Sequence, residues 1–252
     1  MYGYLSTIPA MIRAGIIPMT VYSYIQVNID TFMAKVQEGK KGNVLIVKGG
    51  LEHFDPINYI VNYMSYELQD YNVFMFVKNY PVIERKTGQE IHDCLTVIRG
   101  MNDLTTILCG FSMGGISVLS YLSNGYMQPD FVCIVCSTID FDRLNDLQKN
   151  DFFVRMIKDD SLTRFGYPNL DEAYKSLNVD PRIEMKRMQS IRIGLMMHQE
   201  WKARTFYVIG ERDRITKQVN WPFATKKIVV EEGGHCDSKV MDTVVKMIGN
   251  MV

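Results

Sequence analysis

Short apolar runs alternate with segments of helical spacing along most of the chain. NVLIVK (43–48), NVFMFV (72–77), TTILC (105–109), FVCIVC (131–136), RTFYVI (204–209) and KIVVE (227–231) are brief and nearly continuous in apolar residues. That is the pattern of strands buried on both faces. MTVYSYIQV (19–27) predicts an earlier strand, as part of a hairpin. Ile60, Val61, Met64 and Leu68 predict a helix over 58–69, and Ile91, Leu95 and Ile98 predict another over 87–99. Further helices are expected over 114–122 and from Ser238 to near the C-terminus. Short buried strands separated by helices predict an α/β protein, with a mostly parallel sheet covered by helices on both faces. Between 141 and 202 the chain is charged and helical with no good strand. That stretch is too long for an ordinary connection and predicts an inserted helical cap. The expected organisation is a lead-in segment (1–40), a core (41–140 and 203–252) and the cap (141–202).

Composition narrows the class. The chain has 252 residues and 47% hydrophobic residues, enough to bury a sizeable core in one domain with an insertion. Lys plus Arg and Asp plus Glu both total 28, so no global charge points to nucleic acid. The five cysteines are 94, 109, 133, 136 and 236. Cys133 and Cys136 have C-x-x-C spacing, but they sit inside an apolar run and would point to opposite faces of a strand. They read as small core hydrophobes, and the cysteine usage fits a reducing, cytoplasmic compartment. Residues 1–29 hold one charge, Arg13, together with two prolines and several hydroxyls. They lack a signal-peptide pattern and read as a segment packed on the domain. Contact with a membrane surface is the alternative.

GFSMGG (110–115) carries the candidate chemistry. An abrupt turn from strand to helix crowds the residues two before and two after its apex, and Gly110 and Gly114 occupy those places. The turn strains Ser112 and lifts its hydroxyl above the sheet at a helix N-terminus. Serine then needs a base, and the base an orienting acid. Of four histidines, His92 and His198 fall inside predicted helices, and His53 follows the Gly49-Gly50 loop. His235, in EEGGHCD, follows the last strand at the sheet edge that carries Ser112, which makes it the leading base. Asp213, in VIGERDRIT, is the first choice of acid, with Glu211 and Asp140 as alternatives. For an oxyanion hole the backbone amide of Met113 supplies one donor. Gly50, or next Leu51, supplies the other from the loop after the 43–48 strand. No H-E-x-x-H or comparable ligand cluster occurs, and the chemistry requires neither metal nor cofactor.

A Gly-Gly loop after a strand, then GFSMGG, GERD and GGH, resembles the α/β-hydrolase superfamily from about Asn43 to the C-terminus. GGLEHFDPINYI and GFSMGG are similar to the YheT/ABHD esterase branch. The resemblance implies a Ser112–His235–Asp213 triad, an acyl-enzyme and cleavage of a carboxylic ester. A thioesterase, amidase or acyltransferase would use the same triad, and a binding protein could keep the scaffold without turnover. Many members carry His-Gly at the oxyanion loop, where this chain has Lys48-Gly49. Phe152, Phe153, Met156, Phe165, Tyr167, Leu195, Met196 and Met197 in the cap would suit a hydrophobic, lipid-like acyl group. The expected partner is therefore a small-molecule ester, not a nucleic acid.

Overall fold

The computed structural model describes residues 23–28, 31–48, 59–78, 87–126, 129–137, 204–213, 216 and 226–252. The predicted cap, the 1–22 stretch and the loop of Gly50, Leu51 and His53 lie outside them, as do Asp140 and His198. Among the described residues eight strands form one sheet: β1 (Ser23–Gln26), β2 (Thr31–Gln37), β3 (Asn43–Val47), β4 (Asn72–Lys78), β5 (Thr106–Phe111), β6 (Phe131–Val135), β7 (Thr205–Gly210) and β8 (Lys226–Val230). Four helices accompany them among the same residues: α1 (Tyr59–Glu67), α2 (Thr87–Met101), α3 (Met113–Ser123) and α4 (Ser238–Gly249). The strand order is β1-β2-β4-β3-β5-β6-β7-β8. The β1–β2 and β2–β4 pairs are antiparallel, and all the others are parallel.

The six apolar runs become β3 to β8, and the early strand is one arm of the β1–β2 hairpin. Both arms of the hairpin, β1 and β2, fall inside the 1–40 stretch expected to lead into the core, and they belong to the same sheet as β3 to β8. Sequence reasoning did not anticipate β2. TFMAKVQ mixes strand formers with Ala, Lys and Gln, and Thr31 to Ala34 are all buried, so it shows no alternation.

Val44, Leu45 and Ile46 of β3 are fully buried, as are Ile107, Leu108 and Cys109 of β5. Successive side chains leave opposite faces of a strand, so both faces must be covered. On one face, Val44, Ile46, Ile107 and Val208 pack with Val61 and Met64 of α1 and with Val240, Met241, Val244 and Ile248 of α4. On the other, α2 and α3 pack together, and α3 lies against β5. Each such aliphatic side chain contributes roughly 1.5–3 kcal/mol when fully buried. α4 shows why the sequence makes this choice. Its buried residues recur at helical spacing, while Lys239, Asp242 and Lys246 face solvent.

Polar side chains pin the strand starts. Asn43 Nδ2 donates to Asn102 Oδ1 at 2.7 Å, and Asn72 Nδ2 donates to Asn43 Oδ1 at 3.1 Å. The Asp130 carboxylate accepts from the Thr106 N–H at 2.8 Å and pairs with Arg99 at 2.9 Å. From β3 the chain moves outward to β4, then crosses back to β5 on the other side of β3. The carboxyl ends of β3 and β5 therefore flank a topological switch point, where open α/β sheets bind ligands. Among the described residues no helix is long and apolar enough to cross a membrane.

Candidate active site

Ser112 sits at that switch point, between β5 and α3, with φ 50° and ψ −119°. A non-glycine residue in this region is strained, and its surroundings must hold it there. Here the Ser112 N–H donates to the Val135 carbonyl at 2.8 Å, and the Gly115 N–H donates to the Ser112 carbonyl at 3.0 Å. The flanking glycines are required by space. A Cβ on Gly114 would lie 2.0 Å from the Val47 carbonyl oxygen, and one on Gly110 would lie 2.8 Å from the Gly114 carbonyl oxygen. The missing side chain of Gly114 lets the turn approach the end of β3, and that of Gly110 lets α3 fold back closely on β5.

Ser112 occupies the N-cap position of α3, yet its hydroxyl caps nothing. Its Oγ lies 2.9 Å from His235 Nε2 instead. His235 Nδ1 lies 3.0 Å from Asp213 Oδ2. An ionised carboxylate only accepts, so Nδ1 carries the ring proton and donates to Asp213. That leaves Nε2 to accept from the Ser112 hydroxyl. Residues 123 positions apart in sequence thus meet through loops after β5, β7 and β8, all at one sheet edge.

Asp213 is fully buried. Burial alone would raise its carboxyl pKa. The His235 hydrogen bond and charge, together with bonds from Thr216, outweigh burial and bring it from 3.8 down to about 2. Thr216 supplies its N–H to Oδ1 at 3.0 Å and its hydroxyl to Oδ2. Glu211 faces solvent and lies on the far side of the loop, where it accepts from the Glu232 N–H at 2.9 Å. It braces the histidine loop rather than touching the ring. Asp237 braces the same loop from within, accepting from the Gly234 N–H at 2.7 Å and the Val240 N–H at 3.1 Å.

Met113 is the first residue of α3, so its amide stands at the positive end of the helix directly after Ser112. Lys48 is buried at the end of β3, and its carbonyl oxygen would lie 2.7 Å from a Cβ on Gly114. His92 is in α2, with its ring stacked on Tyr126 at 4.2 Å.

Three neighbours of the site were not assigned to it from sequence. Thr216 follows Asp213 by three positions, the spacing of a local Asp–Thr turn, which was the available signal. Cys136 and Cys236 lie beside His235, with the Cys236 N–H donating to Cys136 Sγ at 3.4 Å. Cys133, the other member of the C-x-x-C, lies against Cys109 in the core, as its reading as a small core hydrophobe predicts.

No family model and no curated protein matches the chain. Solved structures do. A membrane phospholipase A, described as a bacterial virulence factor, aligns at TM-score 0.60 and 16% identity, covering 98% of this chain and 89% of its own. An esterase from Exiguobacterium antarcticum aligns at TM-score 0.58 and 16% identity, covering 91% and 98%. Alpha/beta hydrolase domain-containing protein 10 from mouse aligns at TM-score 0.50 and 13% identity, covering 91% and 97%. The chain has the α/β-hydrolase fold. The α/β-hydrolase fold accounts for the parallel strands from β3 onward, the strained serine turn after β5 and the histidine loop after the last strand. At these identities the likeness concerns the fold and carries no substrate with it.

Proposed function

We propose that the chain is a serine hydrolase acting on a carboxylic ester. The continuous hydrogen-bond chain from Ser112 through His235 to the buried Asp213 carries this reading. Ser112 Oγ attacks the acyl carbonyl while His235 Nε2 takes its proton. Asp213 holds the ring in the required tautomer and stabilises the imidazolium that forms. The Met113 amide and, as the sequence suggests, the Gly50 amide are the donors to the charge on the tetrahedral oxygen. His235 returns the proton to the leaving alcohol, then activates a water that releases the acid and frees Ser112. The apolar residues of 141–202 would favour a hydrophobic acyl group. The phospholipase and esterase among the structural neighbours support a hydrolytic role.

The test is covalent labelling of the purified protein with a fluorophosphonate, read by intact mass. Wild type takes one adduct, while Ser112→Ala and His235→Ala take none. A panel of p-nitrophenyl esters, thioesters and anilides of rising acyl length then separates esterase from thioesterase and amidase. Asp213→Asn lowers turnover by up to about 10⁴-fold, because the ring loses its tautomer. Folded wild-type protein that takes no label would refute the catalytic reading and leave a ligand-binding scaffold.

A further inference from the structure

The thiols beside His235 have no part in that mechanism. Cys136 follows β6, Cys236 follows His235 after β8, and both are buried thiols outside any disulfide. Both hold a positive φ, 46° and 51°, in a region that non-glycine residues rarely adopt. These two strained turns bring together three soft or borderline donors. Cys136 Sγ, Cys236 Sγ and a ring nitrogen of His235 all lie within 4.8 Å of one another. By triangle geometry a point exists within about 2.8 Å of all three, about half an ångström from zinc–sulfur bonding distance. Two thiolates and one imidazole, with a fourth position open, is a donor set that zinc uses.

We propose that Cys136, Cys236 and His235 form a site for a thiophilic divalent cation of the zinc class, and that filling it withdraws His235 from Ser112 and Asp213. Binding converts both thiols to thiolates and releases two protons. The two negative sulfurs offset the charge of the ion in a buried place. The Cys236 N–H already points at the Cys136 sulfur and remains a donor to the thiolate. The weak contact from the Cys136 thiol to the Gly234 carbonyl, at 3.8 Å, is given up. His235 has two ring nitrogens, one engaged with each partner, so coordination through either breaks the chain that the proposed hydrolysis needs. The inhibitory half of the proposal rests on that reading. The metal site itself does not.

Cobalt(II) is the first probe, because tetrahedral cobalt bound by thiolate gives a near-ultraviolet charge-transfer band. Chelator-treated wild type should show the band at one equivalent, lose it on adding zinc, and lose it in Cys136→Ser and Cys236→Ser. His235→Ala should weaken cobalt binding at least tenfold. Saturating zinc should slow fluorophosphonate labelling of wild type at least tenfold, with recovery on adding EDTA. Zinc should no longer change the labelling rate of either serine variant, whatever that rate is. Absence of the band in wild type overturns the site. A band with undiminished labelling, or with unchanged affinity in His235→Ala, overturns the role of His235. Zinc-free wild type that never labels refutes the hydrolase reading, while the cobalt band and the His235→Ala affinity still decide the metal site.

Discussion

Gly114→Ala tests whether the serine turn is held by contact with β3. The added Cβ would stand 2.0 Å from the Val47 carbonyl oxygen and 2.7 Å from that of Lys48. Both obstacles are backbone, so no side chain can swing away. Even a contact of 3.0 Å, closer than real Cβ atoms adopt, requires the start of α3 and the end of β3 to part by about 1 Å. A shift of that size stretches the 2.8 Å bond from Ser112 N–H to Val135 and the 2.9 Å contact with His235 beyond hydrogen-bond range. Overpacking costs about 1–3 kcal/mol, and an unyielding backbone puts this case near the upper end. For a chain of this length that is a fall of roughly 6–12 °C in melting temperature. A displacement of about 1 Å at the nucleophile slows reaction by on the order of 100-fold. Scanning calorimetry reads the first effect and the fluorophosphonate labelling rate the second. Gly100→Ala is the comparison of opposite sign. Gly100 lies in α2 with nothing within 4 Å of the added methyl, and alanine there stabilises by up to about 1 kcal/mol. A Gly114→Ala protein that melts within a degree of wild type and labels at the wild-type rate would refute the packing argument.

Two further predictions concern the supports of the site. The Asp213 carboxyl is depressed to about 2 from 3.8, so its ionised form stabilises the fold by about 2 kcal/mol at neutral pH. That contribution is present above about pH 4 and is lost as pH falls towards 2. Wild type should lose stability more steeply across that window than Asp213→Asn, measured as melting temperature against pH. Asp237→Ala removes the α4 cap and the partner of the Gly234 amide, costing about 1 kcal/mol. Amide exchange in residues 231–237 should accelerate, with labelling reduced by more than the stability change alone accounts for.

The elements written most clearly in the sequence are those buried on both faces. Runs such as NVLIV and TILCGF must be apolar throughout, so periodicity finds them without knowledge of their neighbours. β2 escaped because its place depends on antiparallel pairing with β4, a long-range contact that leaves no local pattern. At the site, glycines at fixed offsets from Ser112 and a histidine after the last strand are local signals. The order of elements carries them to one edge. Selecting Asp213 over Glu211 was harder from sequence, since the two are two positions apart in one loop. Their difference lies in burial and in the bonds from Thr216, which emerge only when the loop folds. The partnership of Cys136 with Cys236 was illegible for a related reason. The sequence read Cys136 as a core hydrophobe at the end of a buried run, whereas in the fold the Cys236 N–H reaches its sulfur from the loop after β8.

β6 and β7 are hydrogen-bonded neighbours, in register from Val132 with Thr205 to Val135 with Val208, yet residues 136–204 separate them. Two adjacent parallel strands need only a dozen or so connecting residues. The remainder leaves at the carboxyl end of β6, the edge where Ser112 and His235 meet. Loop-closure entropy rises only slowly with length, by about 0.6 kcal/mol for each doubling. Strand register is fixed by the ladder, not by the connection. The stretch can therefore lengthen, shorten or be exchanged for one from another protein while the reacting groups keep their spacing. Under the proposed function, a graft between β6 and β7 is the place to test whether the connecting stretch sets substrate choice independently of Ser112 and His235.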